Sequence, residues 1–225
     1  MEIRGYKQLT PVLALLALCP CPPALLASQA GVPVSVVLAR DGCARLPVVV
    51  NAAAAPQVLA AAGDLAGRLS AMTGARFEVT NGDGRRGIAV GTADDFPALA
   101  FGDAFTPDSL TGREDYILRT HAHGLLLIGA TPLAAQHAAW DLLHRLGYRM
   151  FFPDPAWEII PDLPEAGLAV DIRERPDYLT RQVGTAPRDK RKHGDWETWR
   201  RSNRVVSAFR LNTGHAWQSI IRARK

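Results

Sequence analysis

Cysteine is almost absent from this chain. Three occur in 225 residues, and two of them, Cys19 and Cys21, lie in an N-terminal segment that reads as cleavable. Only Cys43 is then left, so an internal disulfide is excluded and stability must come from a buried apolar core. Cys43 itself reads as a small buried or loop residue rather than a nucleophile. Long apolar runs are also lacking: Val12–Leu18 falls well short of the ~20 residues of a spanning helix, which excludes a stable membrane span. Nothing implies a cofactor. His121 and His123 alternate on one strand face, a spacing that can hold a metal, but they stand at a hairpin end without a Cys or acidic partner and read as a solvated turn. His137 and His144, two turns apart on a helix, read as surface residues. Low-complexity sequence is confined to Ala52–Ala55.

What remains is ordinary globular material, 48% hydrophobic and 21% charged. Residues 1–30 read as a secretory signal: Arg4 and Lys7 precede the apolar Val12–Leu18, and Ser28-Gln29-Ala30 offers small residues for cleavage. The mature protein is therefore expected outside the cytoplasm, periplasmic or secreted. Lipidation at Cys19 or Cys21 ranks second, because Leu18 is bulky for a lipobox. Charge divides the remainder. Residues 173–225 carry 14 Lys+Arg against 5 Asp+Glu, leaving 12 (26 − 14) against 17 (22 − 5) in residues 1–172. Two structural units are expected, meeting near Arg173-Glu174-Arg175-Pro176.

Short β-branched runs at Val34–Leu38 and Pro47–Asn51 flank the turn signal Asp41-Gly42. Pro56 opens a helix whose apolar residues Leu59, Ala62, Leu65, Leu69 and Met72 form one stripe, with Gly74 as the stop. Phe77–Thr80 and Ile88–Gly91 surround Asn81-Gly-Asp-Gly84 and read as a hairpin. Tyr116–Thr120 and Leu125–Gly129 read as a second. Thr131 and Pro132 start a helix that Gly147 ends, with Trp140, Leu143 and Leu146 toward the sheet. Strands at 148–152, 157–160 and 168–172 complete an α+β unit, a two-layer α/β sandwich over residues 31–172. Beyond it, a strand at 178–183, a helix at 196–204 and a strand at 205–212 predict the parallel βαβ opening of a barrel over 173–225.

Glu114-Asp-Tyr-Ile-Leu, Gly124-Leu-Leu-Leu-Ile-Gly129, Trp140-Asp-Leu-Leu-His-Arg-Leu-Gly147 and Tyr148-Arg-Met-Phe-Phe-Pro153 follow at short intervals. This run resembles the N-terminal α/β domain that precedes the barrel in β-N-acetylhexosaminidases and α-glucuronidases. It is most similar to a bacterial group of exported proteins with an α-glucuronidase-like barrel. Pro176–Lys225 resembles the start of that barrel. The resemblance implies that Arg181 lies in the first barrel strand, where hexosaminidases place a sugar-binding arginine. It also implies that Asn212–Trp217 forms the loop after the second. A barrel averages about 250 residues, and only 49 (225 − 176) follow Pro176. The chain is thus expected to be the front piece of a longer enzyme.

Glycoside hydrolysis needs two carboxylates across the scissile bond. Past the boundary only Glu174, Asp177, Asp189, Asp195 and Glu197 are present, and all read as linker, surface or capping residues. No catalytic residue is therefore assigned. Arg181 and His215 are the candidate substrate contacts, with Trp217 as either a sugar-stacking ring or barrel core. The basic run Arg188–Lys192, with Trp196 and Trp199 following, suits a solvated loop near acidic sugars. An export signal and the lack of a recognised motif argue against nucleic acid. The expected function is an accessory domain of an exported glycoside hydrolase of hexosaminide or glucuronide type, a fragment without the catalytic residues, with carbohydrate as partner if the full barrel is present. A free-standing carbohydrate-binding or interaction module is the alternative.

Overall fold

The computed structural model describes residues 33–101, 104–183, 193–209 and 221–222. Asp41 and Gly42 both take left-handed backbone, at φ 55° and 68°, as a type I′ hairpin turn requires. They join β1 (Val36–Arg40) to β2 (Cys43–Ala44), which leaves Cys43 exposed on a strand. β3 (Val48–Val50) is buried along its length and leads to α1 (Pro56–Thr73). Pro56 sits in the first turn, where its missing N–H breaks no helical bond. Gly74, at φ 69°, ends the helix by donating to the Ser70 carbonyl. The buried stripe runs through Val58, Ala61, Leu65, Leu69 and Met72. Leu59, expected on it, is exposed, because Val58, about 100° round the helix, takes the inward place.

β4 (Val79–Asn81) and β5 (Gly87–Thr92) do not form the expected hairpin. Both run parallel to β3, one on each side. The intervening residues must therefore travel back across β3, and they do so over Val49. A Cβ on Gly82 or Gly87 would lie 2.9 or 2.7 Å from the Val49 side chain. These glycines serve a close crossing rather than a two-strand turn.

The second hairpin, β6 (Tyr116–His121) and β7 (Gly124–Gly129), forms as expected, with Tyr116 opposite Gly129. β7 lies parallel to β5. The Thr131 hydroxyl caps α2 (Pro132–Arg145) by accepting from the Ala134 N–H at 3.3 Å. A small pair, β8 (Arg149–Met150) with β9 (Glu158–Ile159), follows. β10 (Glu165–Leu168) returns to β1, and β11 (Asp171–Glu174) joins β6 at the edge of the main sheet. That sheet has the order β11-β6-β7-β5-β3-β4. Val48, Val50, Ile88, Leu125 and Leu127 point to one face, in a single core with the inner residues of α1 and α2. Ala89, Leu126 and Ile128 point to the other, against Phe96 and its neighbours. The fold is mixed α+β.

Two features of the C-terminal stretch differ from expectation. β11 runs through Arg173 and Glu174, so these are strand residues rather than linker. β12 (Thr180–Arg181) and β13 (Val206–Ser207) pair antiparallel, not in the parallel sense of a barrel opening. α3 (His193–Ser202), between them, docks on the body: Trp199 Nε1 donates to the Phe151 carbonyl and Asn203 to that of Met150. Arg204 then turns the chain through left-handed backbone, φ 53°, which brings β13 back against β12. No helix among the described residues is long and apolar enough to cross a membrane.

Candidate functional site

The end of the sheet where β5 and β7 finish carries a dense polar cluster. Glu114 and Asp115 lie there, immediately before β6, and both are buried. Buried carboxylates are costly unless paired. The partners come from the basic C-terminal stretch. Asp115 accepts from Arg175 Nε at 2.7 Å and Nη2 at 2.6 Å, and from Arg173 Nη2 at 3.3 Å. Burial pushes its carboxyl up, but the hydrogen bonds and charges of Arg175 and Arg173 outweigh that and hold it below the ordinary range. Glu114 accepts from Arg181 Nη2, and its Oε2 lies 3.4 Å from His137 Nδ1.

Arg181 is the hub of the cluster. Besides Glu114 it donates to the carbonyls of Tyr178 and Arg204, the latter at 2.9 Å. Arg204 in turn donates to the Tyr116 hydroxyl at 2.7 Å and stands 3.8 Å from Asp141. Burial pushes the Tyr116 phenol well above its usual value, so it stays protonated. Outside this network opens a cleft of about 310 Å³ lined by Tyr116, Glu174, Asp177, Tyr178, Arg181 and Asn203 among others. Tyr178 is 72% exposed and offers a free aromatic face. The cleft can therefore present hydrogen-bond donors beside a ring.

No protein-family model matches the chain, and no curated protein sequence matches it at a significant level.

Of the residues singled out from sequence, Arg181 reaches this cleft. Three of its nitrogens are engaged by the protein itself, so it shapes the wall as well as facing it. His215 and Trp217 lie outside the described residues. His137 is not the surface residue expected: it is fully buried, and neither ring nitrogen has a hydrogen-bond partner among the described residues. Burial first, then the charges of Arg181 and Arg204, push its pKa down to about 3, so the ring is neutral. The sequence carries a signal for this, since Trp140 faces the sheet and a residue three positions earlier shares its face. Glu114, Asp115 and Arg204 were missed as site residues. Nothing local marks a carboxylate as buried when its partners lie some 60 residues on, as for Asp115 and Arg175. Among the described residues no group of three His, Cys, Asp or Glu is placed to hold a metal.

Proposed function

We propose that this chain is the accessory α/β domain of an exported glycoside hydrolase of hexosaminide or glucuronide type, and that it contacts carbohydrate without cleaving it. The supporting observation is the cleft at the strand ends, where an exposed Tyr178 ring adjoins the guanidiniums of Arg181 and Arg204. A pyranose needs such a pairing: an apolar face for the ring and donors for its hydroxyl oxygens. The carboxylates in the cleft do not resemble a hydrolytic pair. Glu174 is engaged by Arg145 at 3.4 Å, and Asp177 is exposed.

The test is calorimetric titration of the exported protein with oligosaccharides of N-acetylglucosamine and of glucuronic acid. Saturable binding to one of them, lost in Tyr178→Ala with an unchanged thermal midpoint, is the expected result. No binding of either by the unaltered protein refutes the carbohydrate assignment. The hydrolase assignment is checked separately by translating the DNA beyond Lys225 in all three frames. Barrel strands with paired acids support it, and intergenic sequence leaves the free-standing module.

A further inference from the structure

At the opposite end of the sheet lies a second concavity, of about 580 Å³. Its lining includes Val37, Leu46 and Pro47 together with Arg45, Arg86 and His123. These three come from separate segments: the β2–β3 connection, the crossing before β5, and the β6–β7 turn.

Arginines on this body are otherwise engaged. Between residues 33 and 183 every arginine except Arg45, Arg86 and Arg113 has a carboxylate or carbonyl partner among the described residues. Even Arg85, beside Arg86, has Asp83 at 3.6 Å. Acidic residues outnumber basic ones in residues 1–172, so free guanidiniums do not reflect a shortage of carboxylates. Two of these three arginines nonetheless line one groove, together with an exposed histidine.

We propose that this groove binds a phosphate or sulfate monoester. A guanidinium fork engages two oxygens of an oxyanion at once, and a tetrahedral monoester has three free oxygens to share between two arginines and a histidine. The groove is in the size range of small-molecule sites rather than of a bare ion. Its aliphatic walls, Val37, Leu46 and Pro47, suit the organic part of the ester. This site is independent of the Arg181 cleft and of the function proposed for it.

Calorimetric titration of the full chain with phenyl phosphate, phenyl sulfate, inorganic phosphate and phenol tests the assignment. Saturable binding of at least one ester is expected, about tenfold tighter than inorganic phosphate, and none of phenol. Arg45→Ala and Arg86→Ala should each weaken it about tenfold, the contribution of one charge-assisted contact. Arg113→Ala removes the same charge outside this groove and should change affinity less than about twofold. All three side chains lack partners among the described residues, so the thermal midpoint reports that each variant is folded. Absence of saturable ester binding overturns the proposal. So does equal weakening by Arg113→Ala, which signals diffuse charge attraction. Inorganic phosphate binding as tightly as both esters overturns the monoester assignment. Whichever ester binds more tightly identifies the source as phosphate or sulfate.

Discussion

Replacing Asp115 by asparagine keeps the size of the side chain and removes the charge that Arg173 and Arg175 surround. The carboxylate is fully closed to solvent, whereas the two arginine side chains are 49% and 53% exposed. Breaking a buried pair costs about 3–5 kcal/mol, and a hydrogen bond to a charged group contributes about 1.5–3 kcal/mol. Solvent screens the arginine side of this contact, and asparagine still offers one acceptor oxygen. The lower figures therefore apply, and Asp115→Asn should destabilise by about 2 kcal/mol. For a domain of this size that is roughly 4–8 °C in thermal midpoint. The pH dependence gives a sharper check. The folded carboxyl titrates below its ordinary 3.8, so its contribution is complete above that value and is lost as pH falls through the folded one. Urea unfolding should separate wild type and variant at neutral pH, with the gap closing in stronger acid. Equal midpoints at neutral pH, or a gap that persists undiminished in acid, would refute the paired-carboxylate account.

Two further outcomes follow from packing and burial. Gly124→Ala places a Cβ 2.0 Å from the Gly87 carbonyl oxygen, where backbone meets backbone between β5 and β7. It should lose about 3 kcal/mol, the upper part of the overpacking range, and a midpoint equal to wild type in urea would count against this close approach. His137 remains neutral in the fold with its pKa near 3 against 6.5 unfolded. Native protein thus refuses a proton that the unfolded chain accepts, and stability declines as pH falls from 6.5 toward 3. His137→Leu should abolish a loss of roughly 2 kcal/mol between pH 7 and 5, and parallel pH profiles for the two proteins would exclude that role.

Local order in this fold was legible wherever one residue carries one backbone requirement. Asp41-Gly42, Gly74, and Thr131 with Pro132 each place a turn or helix end within a residue or two of its observed position. Strand partners were not legible in the same way. Asn81-Gly-Asp-Gly84 has hairpin composition, yet β4 and β5 lie on opposite sides of β3. A glycine that lets a chain cross over Val49 looks the same in sequence as one that turns a hairpin. Likewise, a strand-helix-strand order over 178–212 fits a parallel barrel opening. The observed antiparallel pairing depends on where α3 docks, through Trp199 and Asn203 on the carbonyls of Phe151 and Met150. Hydrophobic periodicity carries no information about those carbonyls. At the cleft, Arg181 is singled out by the resemblance alone, while Glu114, which holds it, becomes recognisable only once the basic stretch has folded onto β6.

The charge division along the sequence is also a division of ion-pair partners. An acidic first part and a basic last part suggest two structural units. In the fold the two charges meet: Arg173 and Arg175 on Asp115, Arg181 on Glu114, and Arg201 on Asp64 at 3.0 Å. Each arginine lies beyond residue 172 and each acid before it. The excess of one sign on each side is what a tight contact between them requires, because a buried carboxylate needs its cation supplied from elsewhere. Arg181 shows the consequence for function. Its guanidinium is held by Glu114 and two carbonyls before any ligand arrives, so the wall of the cleft is fixed in advance. Any ligand of the cleft would meet an arginine whose ordering has already been completed by folding.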